Sequence, residues 1–375
     1  MLFKEVIGQN RIKTKLIQTV KEARISHTQL LSGDDGTGNL ALAIAYAQYI
    51  NCENKQEDDS CGTCHSCLKH KKLIHPDLHF VYPVNTTKSI ARDPVSDDFI
   101  GQWREIVLKN PYFTAEQWYE YIGLENKQGL IGTKESQVVS RKLNLKSFES
   151  EYKIIIIWKP EKMNTTAANK LLKLIEEPPE KTIFLLVAES DDQILPTILS
   201  RAQFVKIPGI GDDEMKKAIG GKFNLEGEAL SNIVHLAGGS YLKALEAIGS
   251  VDENKDYLDS FVSWMRLCYS RKVLDLINWV DNIHTLGREK QKSFIGFALR
   301  MIRENFIMNI NYPDINYLTL SEKEFSDRFH PFINGTNILQ ITDELNKAYR
   351  HIEQNGYARI VFLDMSLKIS GLIKK

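Results

Sequence analysis

Four of the five cysteines lie within residues 52–67 and could together bind a metal ion. They are Cys52, Cys61, Cys64 and Cys67, and the last three form two overlapping C-x-x-C steps. Four soft thiolates make a tetrahedral ligand set that favours Zn²⁺. The segment is too polar to build a core of its own, so we expect a structural zinc to fold it.

Two other interpretations of these residues are open. His65 could replace Cys52 as a ligand, although the four sulfurs suffice. Residues 61–65 also match the C-x-x-C-H motif of covalent haem attachment, but that chemistry belongs with export, and "MLFKEVIGQN" has no export signal. The fifth cysteine, Cys268, lies in an apolar helical pattern, and we expect it in the core.

A glycine-rich loop follows an apolar run in "LLSGDDGTGNLALAIAYAQYI", residues 30–50. Gly33 and Gly38 have the spacing of the phosphate-binding loop G-x-x-x-x-G-K-[ST], in which the lysine reaches the outer phosphates and the hydroxyl ligates Mg²⁺. Asn39 and Leu40 stand at those two positions. A neutral amide cannot balance a triphosphate, and an isobutyl group cannot ligate Mg²⁺.

The same loop carries two acidic residues, Asp34 and Asp35. Each would repel a bound polyphosphate by about 1–4 kcal/mol. We therefore expect no functional ATP/Mg²⁺ site, with Gly33, Gly36 and Gly38 only shaping a strand-to-helix turn. A working site of unusual sequence is the alternative.

Apolar strands alternate with helices around these groups, which predicts a doubly wound parallel α/β domain. "TTAANKLLKLIEEPP" is expected to be a helix that Pro178 and Pro179 end. The other predicted elements are helices over 9–23, 39–50 and 135–145, and strands at 29–32, "DLHFVYPV", 153–158 and "TIFLLVAES".

Three further regions have helical patterns or no recognisable motif. Residues 85–132 contain Trp103 and Trp118 but no recognisable motif, and we expect an insertion with small helices. Residues 209–250 predict a small helical domain of short helices broken at Gly220, Gly221, Gly238 and Gly239. Residues 251–375 have helical periodicity throughout and no catalytic constellation.

Composition gives weaker limits. The chain has 375 residues, enough for two or three domains, and its 48 basic and 48 acidic residues leave no net charge to attract nucleic acid or membrane. No apolar run is long enough to span a bilayer. We expect a cytoplasmic protein without a membrane partner.

Several stretches together resemble the clamp-loader branch of the AAA+ family. They are "VIGQNRIKTKLIQ", the glycine loop, the cysteines after it, "ANKLLKLIEEPP" and "LPTILSRAQ". The resemblance implies an AAA+ α/β domain over 1–208 with the zinc module at 52–67 and the insertion at 85–132. It further implies a helical lid domain over 209–250 and a C-terminal helical collar over 251–375.

The departures from that family concern the ATP machinery. Active members follow the second apolar strand with Asp-Glu, which orient Mg²⁺ and the attacking water, whereas this chain has Trp158 and Lys159. Leu242 stands where the family has a nucleotide-sensing arginine. The resemblance thus implies a subunit that does not hydrolyse ATP.

One catalytic element of the family is kept. Clamp loaders place an arginine of a Ser-Arg-Cys motif in the ATP site of the adjacent subunit, and Ser200 and Arg201 match it, with Ala202 in place of cysteine. The resemblance implies that Arg201 is an arginine finger acting in trans. Without it, Arg201 would be interpreted as a surface arginine paired with nearby carboxylates.

The function implied is that of a stator in a hetero-oligomeric ring with a motor ATPase subunit and a delta-type subunit. Such a subunit helps to open a sliding clamp and to load it on primed DNA. One alternative is an atypical AAA+ ATPase acting as a motor. A zinc-dependent DNA-binding module is disfavoured, because the cysteine segment carries Glu53, Glu57, Asp58 and Asp59.

Overall fold

The structure, a computed structural model, describes residues 1–88, 90, 92–124, 127–190, 194–249, 251–310, 316 and 318–373. It divides the chain into two compact units. The first comprises Met1–Leu230 and Ala237–Ala244, and the second comprises Ser231–Leu236 and Leu245–Lys375.

A parallel sheet forms the centre of the first unit, as the alternating pattern predicts. Three of its strands are buried along their whole length, which suits a sheet covered on both faces. The four predicted strands are confirmed, and a short fifth strand, largely exposed, lies at one edge. In sheet order they are β2 (Leu78–Val81), β3 (Lys153–Trp158), β4 (Thr182–Ala188), β1 (Thr28–Ser32) and β5 (Gln203–Lys206).

The register of these strands brings three loops together. Ser32 at the end of β1 pairs with Ala188 at the end of β4, and Trp158 at the end of β3 pairs with Val187. The loops that follow β1, β3 and β4 therefore leave the sheet side by side. A ligand site in an open α/β sheet is expected at this edge.

Helices cover the sheet in the first unit, and the last two of them each lie partly in the second unit. The predicted helices after the glycine loop and after β3 are confirmed. In chain order they are α1 (Asn10–Lys21), α2 (Asn39–Ile50), α3 (His65–Lys71), α4 (Ile100–Lys109), α5 (Ala115–Tyr121), α6 (Thr133–Asn144), α7 (Thr165–Glu176), α8 (Pro196–Leu199), α9 (Asp212–Phe223), α10 (Gly227–Ala237) and α11 (Tyr241–Gly249).

Residues 85–132 do form small helices, α4 and α5, and these pack on the sheet domain. Trp103 and Trp118 are fully buried, and the ring of Tyr82, just after β2, stacks on Trp103 at 4.0 Å. Residues 89, 91, 125 and 126 of this segment lie outside the described residues. The aromatic residues without a motif are thus core residues of the first unit.

The expected break at Gly220 and Gly221 is wrong, because α9 continues through both. A Cβ at Gly220 would lie 3.2 Å from the Leu230 side chain, so this helical glycine allows a close approach of the next helix. The break at Gly238 and Gly239 is confirmed, since both have left-handed backbones between α10 and α11.

The described secondary-structure elements of the second unit are all helices. Trp264 and Trp279 stack at 5.3 Å in its core, and Cys268 is fully buried there as predicted. None of the described helices is long and apolar enough to cross a membrane. After α10 and α11, the helices are α12 (Val251–Ser270), α13 (Val273–His284), α14 (Arg288–Asn309), α15 (Leu320–Phe329), α16 (Ile338–Glu353) and α17 (Ala358–Leu372).

Candidate functional site

The glycine loop joins β1 to α2 in the shape that its glycines predict. Gly36 and Gly38 have φ values of 85° and 98°, a region that residues with a Cβ rarely adopt. A Cβ at Gly36 would also lie 2.2 Å from Ser240 Oγ, so the loop is tightly covered at this point.

Asn39 turns into the protein from the position where an active loop has its lysine. Its amide nitrogen donates to the carbonyl oxygens of Gly33 and, at 3.1 Å, of Ala188. Its amide oxygen accepts a hydrogen bond of 2.5 Å from Thr37 Oγ1. The side chain is buried and connects the loop to the end of β4 by hydrogen bonds, so its role here is structural.

Lys159 brings a buried positive charge to the same edge of the sheet. Its Nζ donates to both carboxylate oxygens of Asp35, at 2.9 and 3.1 Å, and to Glu189 at 2.5 Å. Only 3% of its side chain is exposed. Asp35, which the sequence suggested only as a source of repulsion, therefore has a cationic partner 124 positions away in the chain.

The electrostatics of this trio keep the lysine charged. Burial by itself lowers the pKa of Lys159, but the carboxylates of Asp35 and Glu189 outweigh it and raise the pKa above its usual value. Burial raises the pKa of Asp35, against the opposing effect of Lys159. An ammonium held in this way can neither ligate Mg²⁺ nor accept a proton from water.

Trp158, at the other substituted position, lies in an aromatic cluster. Its ring centroid is 5.3 Å from that of Trp103 and 5.0 Å from that of Phe113. Both partners come from residues 85–132. The space before the glycine loop is consequently filled by protein, and the cavity left between the loop, 111–113 and 158–159 is about 20 Å³. That volume holds about one water molecule.

The start of α11 closes the loop from another side. Tyr241 N–H donates to the Gly36 carbonyl at 3.0 Å, and Ser240 Oγ donates to the Asp35 carbonyl at 2.8 Å. Leu242, at the position of the nucleotide-sensing arginine, is buried. An apolar side chain here offers no charge to a phosphate.

The four predicted cysteines come together in space. Their sulfur atoms all lie within 4.8 Å of one another, and His65 does not belong to this group. The Sγ–Sγ distance is 3.6 Å from Cys52 to Cys61 and 3.9 Å from Cys61 to Cys67. Tetrahedral Zn²⁺ with Zn–S bonds of about 2.3 Å requires sulfurs about 3.8 Å apart, so the cluster fits a metal ion.

Backbone N–H groups point at these sulfurs. Cys61 N donates to Cys52 Sγ at 3.3 Å, and Cys64 N donates to Cys61 Sγ at 3.3 Å. Burial raises the pKa of the Cys61 thiol, but hydrogen bonds that include those of Thr63 and Cys64 outweigh it and lower the pKa to about 6. A thiolate is the form that binds metal.

The acidic residues of the cysteine segment are used within the protein. Asp59 accepts hydrogen bonds from the amides of Phe3, Lys4 and Ser60, and Glu53 accepts one from the amide of Ser66. Asp59 thus attaches the segment to residues 3 and 4, and Glu53 forms a hydrogen bond within the segment. They also leave it without the clustered positive charge of a phosphate-binding surface.

Arg201 lies just after α8, on the surface of the first unit. Its Nε pairs with Glu176 at 2.8 Å, and its Nη1 donates to the Thr197 carbonyl at 3.0 Å and to Ser200 Oγ at 3.1 Å. Its side chain is 39% exposed. The guanidinium is thus oriented by its own chain while part of it faces solvent.

Comparison with known families matches residues 8–210 to the family described as "DNA polymerase III, delta subunit". That span is more than half of the chain and includes the glycine loop, the cysteines and Arg201. The chain belongs to this family. The resemblance to clamp-loader subunits is thereby confirmed at the level of the family.

Individual relatives agree with that assignment. The chain is 28% identical to DNA polymerase III subunit delta' of Haemophilus influenzae over 269 residues, which are 71% of this chain and 68% of that protein. It is 28% identical to subunit delta' of Bacillus subtilis over 52% of this chain and 46% of that protein. The chain thus spans about half to two thirds of these curated relatives.

A solved structure is also similar over most of the chain. A DNA polymerase III, gamma subunit-related protein from Thermotoga maritima shares 14% identity at a TM-score of 0.41. The comparison covers 96% of this chain and 99% of that one.

Proposed function

We propose that this chain is a non-hydrolysing stator of a DNA polymerase III clamp-loader complex. The observation that carries the proposal is the buried ion-pair network of Lys159 with Asp35 and Glu189. Active members of the family have the acid that positions the attacking water at the place of Lys159. Here the same position holds a cation that neutralises the loop instead.

The rest of the loop supports this conclusion. ATP hydrolysis needs a lysine for the outer phosphates and carboxylate and hydroxyl oxygens for Mg²⁺. Asn39 is committed to backbone carbonyls, and Leu40 is buried and apolar. A cavity of about 20 Å³ is also far below the roughly 300–1,000 Å³ of a small-molecule site.

The stator role gives each part of the chain a task. Residues 1–208 would be the AAA+ domain in the ring, 209–250 its lid, and 251–375 a collar that joins the other subunits. The partners would be a motor ATPase subunit and a delta-type subunit. Through them the chain would reach a sliding clamp and primed DNA in the cytoplasm.

Arg201, with Ser200 beside it, is assigned as the arginine finger. Its guanidinium is always charged and matches phosphate oxygens as a fork. Glu176 and Thr197 orient it, and its partial exposure lets it face a neighbouring subunit. Inserted into a neighbour's ATP site, it would stabilise the charge that develops on the transferred phosphoryl group.

The cysteine cluster is assigned a structural zinc bound by Cys52, Cys61, Cys64 and Cys67. Four protein ligands leave no open position for catalysis. The chain itself would bind no functional ATP or Mg²⁺.

The test is a calorimetric titration of the isolated chain with ATP and Mg²⁺. We expect no binding and no hydrolysis, and Asn39→Lys alone should restore neither, because Trp158 and Lys159 remain. Mixing with motor and delta-type subunits should then yield a complex of higher mass. Micromolar, Mg²⁺-dependent binding by the wild-type chain would instead favour an atypical AAA+ motor.

A further inference from the structure

The side chain of Tyr112 lies directly before the glycine loop. A Cβ at Gly38 would lie 3.3 Å from the Tyr112 ring, so the ring contacts the first residue before α2. The Ile7 N–H donates to Tyr112 Oη at 2.9 Å, and the ring of Tyr241 lies 5.0 Å away at 61°. Tyr112 is 5% exposed.

The turn that carries this tyrosine is held in place. The Asn110 side chain donates to the Tyr112 carbonyl at 2.9 Å and accepts from its N–H at 3.2 Å. The ring of the next residue, Phe113, packs against those of both Trp103 and Trp158. Residues 110–113 are therefore held in the domain by hydrogen bonds and by packing.

The surroundings of the phenol are those that a nucleobase needs. A planar ring lies beside the N-terminus of α2, the end at which phosphates bind in active loops, and a second ring lies edge-on to it. The Ile7 N–H donates a hydrogen bond to the phenol oxygen, as it would to a ring nitrogen of adenine. The slot thus has the aromatic contact and the polar partner of a base site.

We propose that Tyr112 is an internal surrogate for a nucleobase, occupying an aromatic slot formed by Ile7, Gly38 and Tyr241. The proposal rests on the proposed function, in which the chain binds no nucleotide. The tyrosine joins the segment before α1, the start of α2 and the start of α11. Tyr112 permanently makes the contacts that a bound purine nucleoside would make reversibly.

Opening the slot tests the proposal. Adenosine is the probe, because it has no phosphate and does not depend on Asn39 or Lys159. We expect millimolar adenosine to raise the Tm of Tyr112→Ala by about 1–3 °C and to leave the wild type unchanged. Tyr119→Ala is the matched control, since Tyr119 is a half-buried tyrosine of the same segment that bonds the Gly129 carbonyl.

A second probe, p-cresol, checks that the opened slot persists. If p-cresol stabilises Tyr112→Ala and adenosine does not, the slot accepts a phenol only and the proposal is wrong. Stabilisation by neither probe, or equal stabilisation of Tyr119→Ala by adenosine, also overturns it. ATP binding by the wild type is a different result, because it contradicts the proposed function itself.

Hydrogen exchange provides a test that does not need the alanine variant to fold. Tyr112→Phe keeps the ring and removes only the oxygen that accepts from Ile7. We expect exchange of the Ile7 amide to rise about two- to tenfold, while the amide of Leu30 in β1 is unchanged. An unchanged Ile7 amide would show that the phenol oxygen does not hold this segment.

Discussion

The glycine loop and the cysteine cluster lie at the two ends of α2, and they differ in how much of their expected ligand set is present. At the Asn39 end, the groups for ATP are replaced and the space is filled by Trp158 and Tyr112. Beyond the Ile50 end, all four cysteine sulfurs are kept within 4.8 Å. Under the proposed function, this loop keeps its fold without a phosphate ligand, because protein groups make the contacts that the ligand would make.

The cysteine segment cannot make that exchange so easily. Residues 53–59 are polar and mostly exposed, so the segment buries little apolar surface besides Cys52 and Cys67. If the proposed zinc is bound, we expect the stability of this segment to depend on it. Hence the metal end should be much more sensitive to perturbation than the loop end.

The largest effect is expected from removing the metal. Cys67→Ser, or a strong chelator, should unfold residues 52–67 and lower the free energy of unfolding by several kcal/mol. Metal analysis after desalting should find about one zinc per wild-type chain and much less in the variant. Cys268→Ser is the control, since it should keep the zinc. Reduced wild-type protein without stoichiometric zinc would remove the basis of the comparison.

A smaller loss is expected at the loop end from Lys159→Met. This change leaves Asp35 and Glu189 without their cation, and the free energy of unfolding should fall by about 2–4 kcal/mol. Urea unfolding measures the loss. Because Asp35→Asn removes one of the two carboxylates that are left without a cation, the double variant should lose less than the two single changes added together. Additive losses would mean that the ion pair is not coupled.

Next in size is the pH dependence created by Glu135, which lies on α6 and accepts from the Ser96 amide at 2.6 Å. Burial raises its pKa to about 7. The folded chain therefore binds a proton that the unfolded chain has released, and stability falls as the pH rises from about 4.5 to 7.

Glu135→Gln keeps an acceptor for Ser96 and removes this titration. Relative to the wild type, the variant should gain about 1–3 kcal/mol at pH 8 and nothing at pH 4. Urea unfolding at several pH values gives the difference between the two proteins. Parallel curves would show that Glu135 titrates in the folded chain much as it does in the unfolded one.

Much of this fold and part of the site could be predicted from the sequence. The buried strands at 153–158 and 182–188 are continuous apolar runs after their first residue, and the spacing of the cysteines indicates that they form one site. Both signals are local. The edge strand β5 has an exposed, mixed pattern that gives no such signal.

What the sequence could not show depends on residues far apart in the chain. Lys159 and Asp35 are 124 positions apart, and only the register of β1, β3 and β4 brings their loops together. Tyr112 likewise reaches the amide of Ile7 across 105 positions. The aromatic residues of 85–132 did indicate that this segment packs into a core, because so many large apolar rings are rarely left exposed.

The smallest effect on this chain is expected from Arg201→Ala, and for that reason it is the sharpest test of function. The arginine is partly exposed, and its pair with Glu176 is a surface ion pair worth about 0–1 kcal/mol. Folding and assembly should be preserved. An arginine finger in trans contributes roughly 10³–10⁵ in rate at its site, although a ring with several ATP sites would show a smaller drop.

The measurement is DNA-stimulated ATP hydrolysis and clamp loading by the assembled complex. Arg201→Ala should lower both, and Arg201→Lys should rescue poorly, because lysine keeps the charge but loses the fork. Glu176→Ala removes the ion pair and leaves the guanidinium, so it separates the two roles of Arg201. If the alanine variant assembles and the complex hydrolyses ATP at the unmodified rate, Arg201 only pairs with Glu176. The chain would then be a stator without a catalytic contribution to its neighbour.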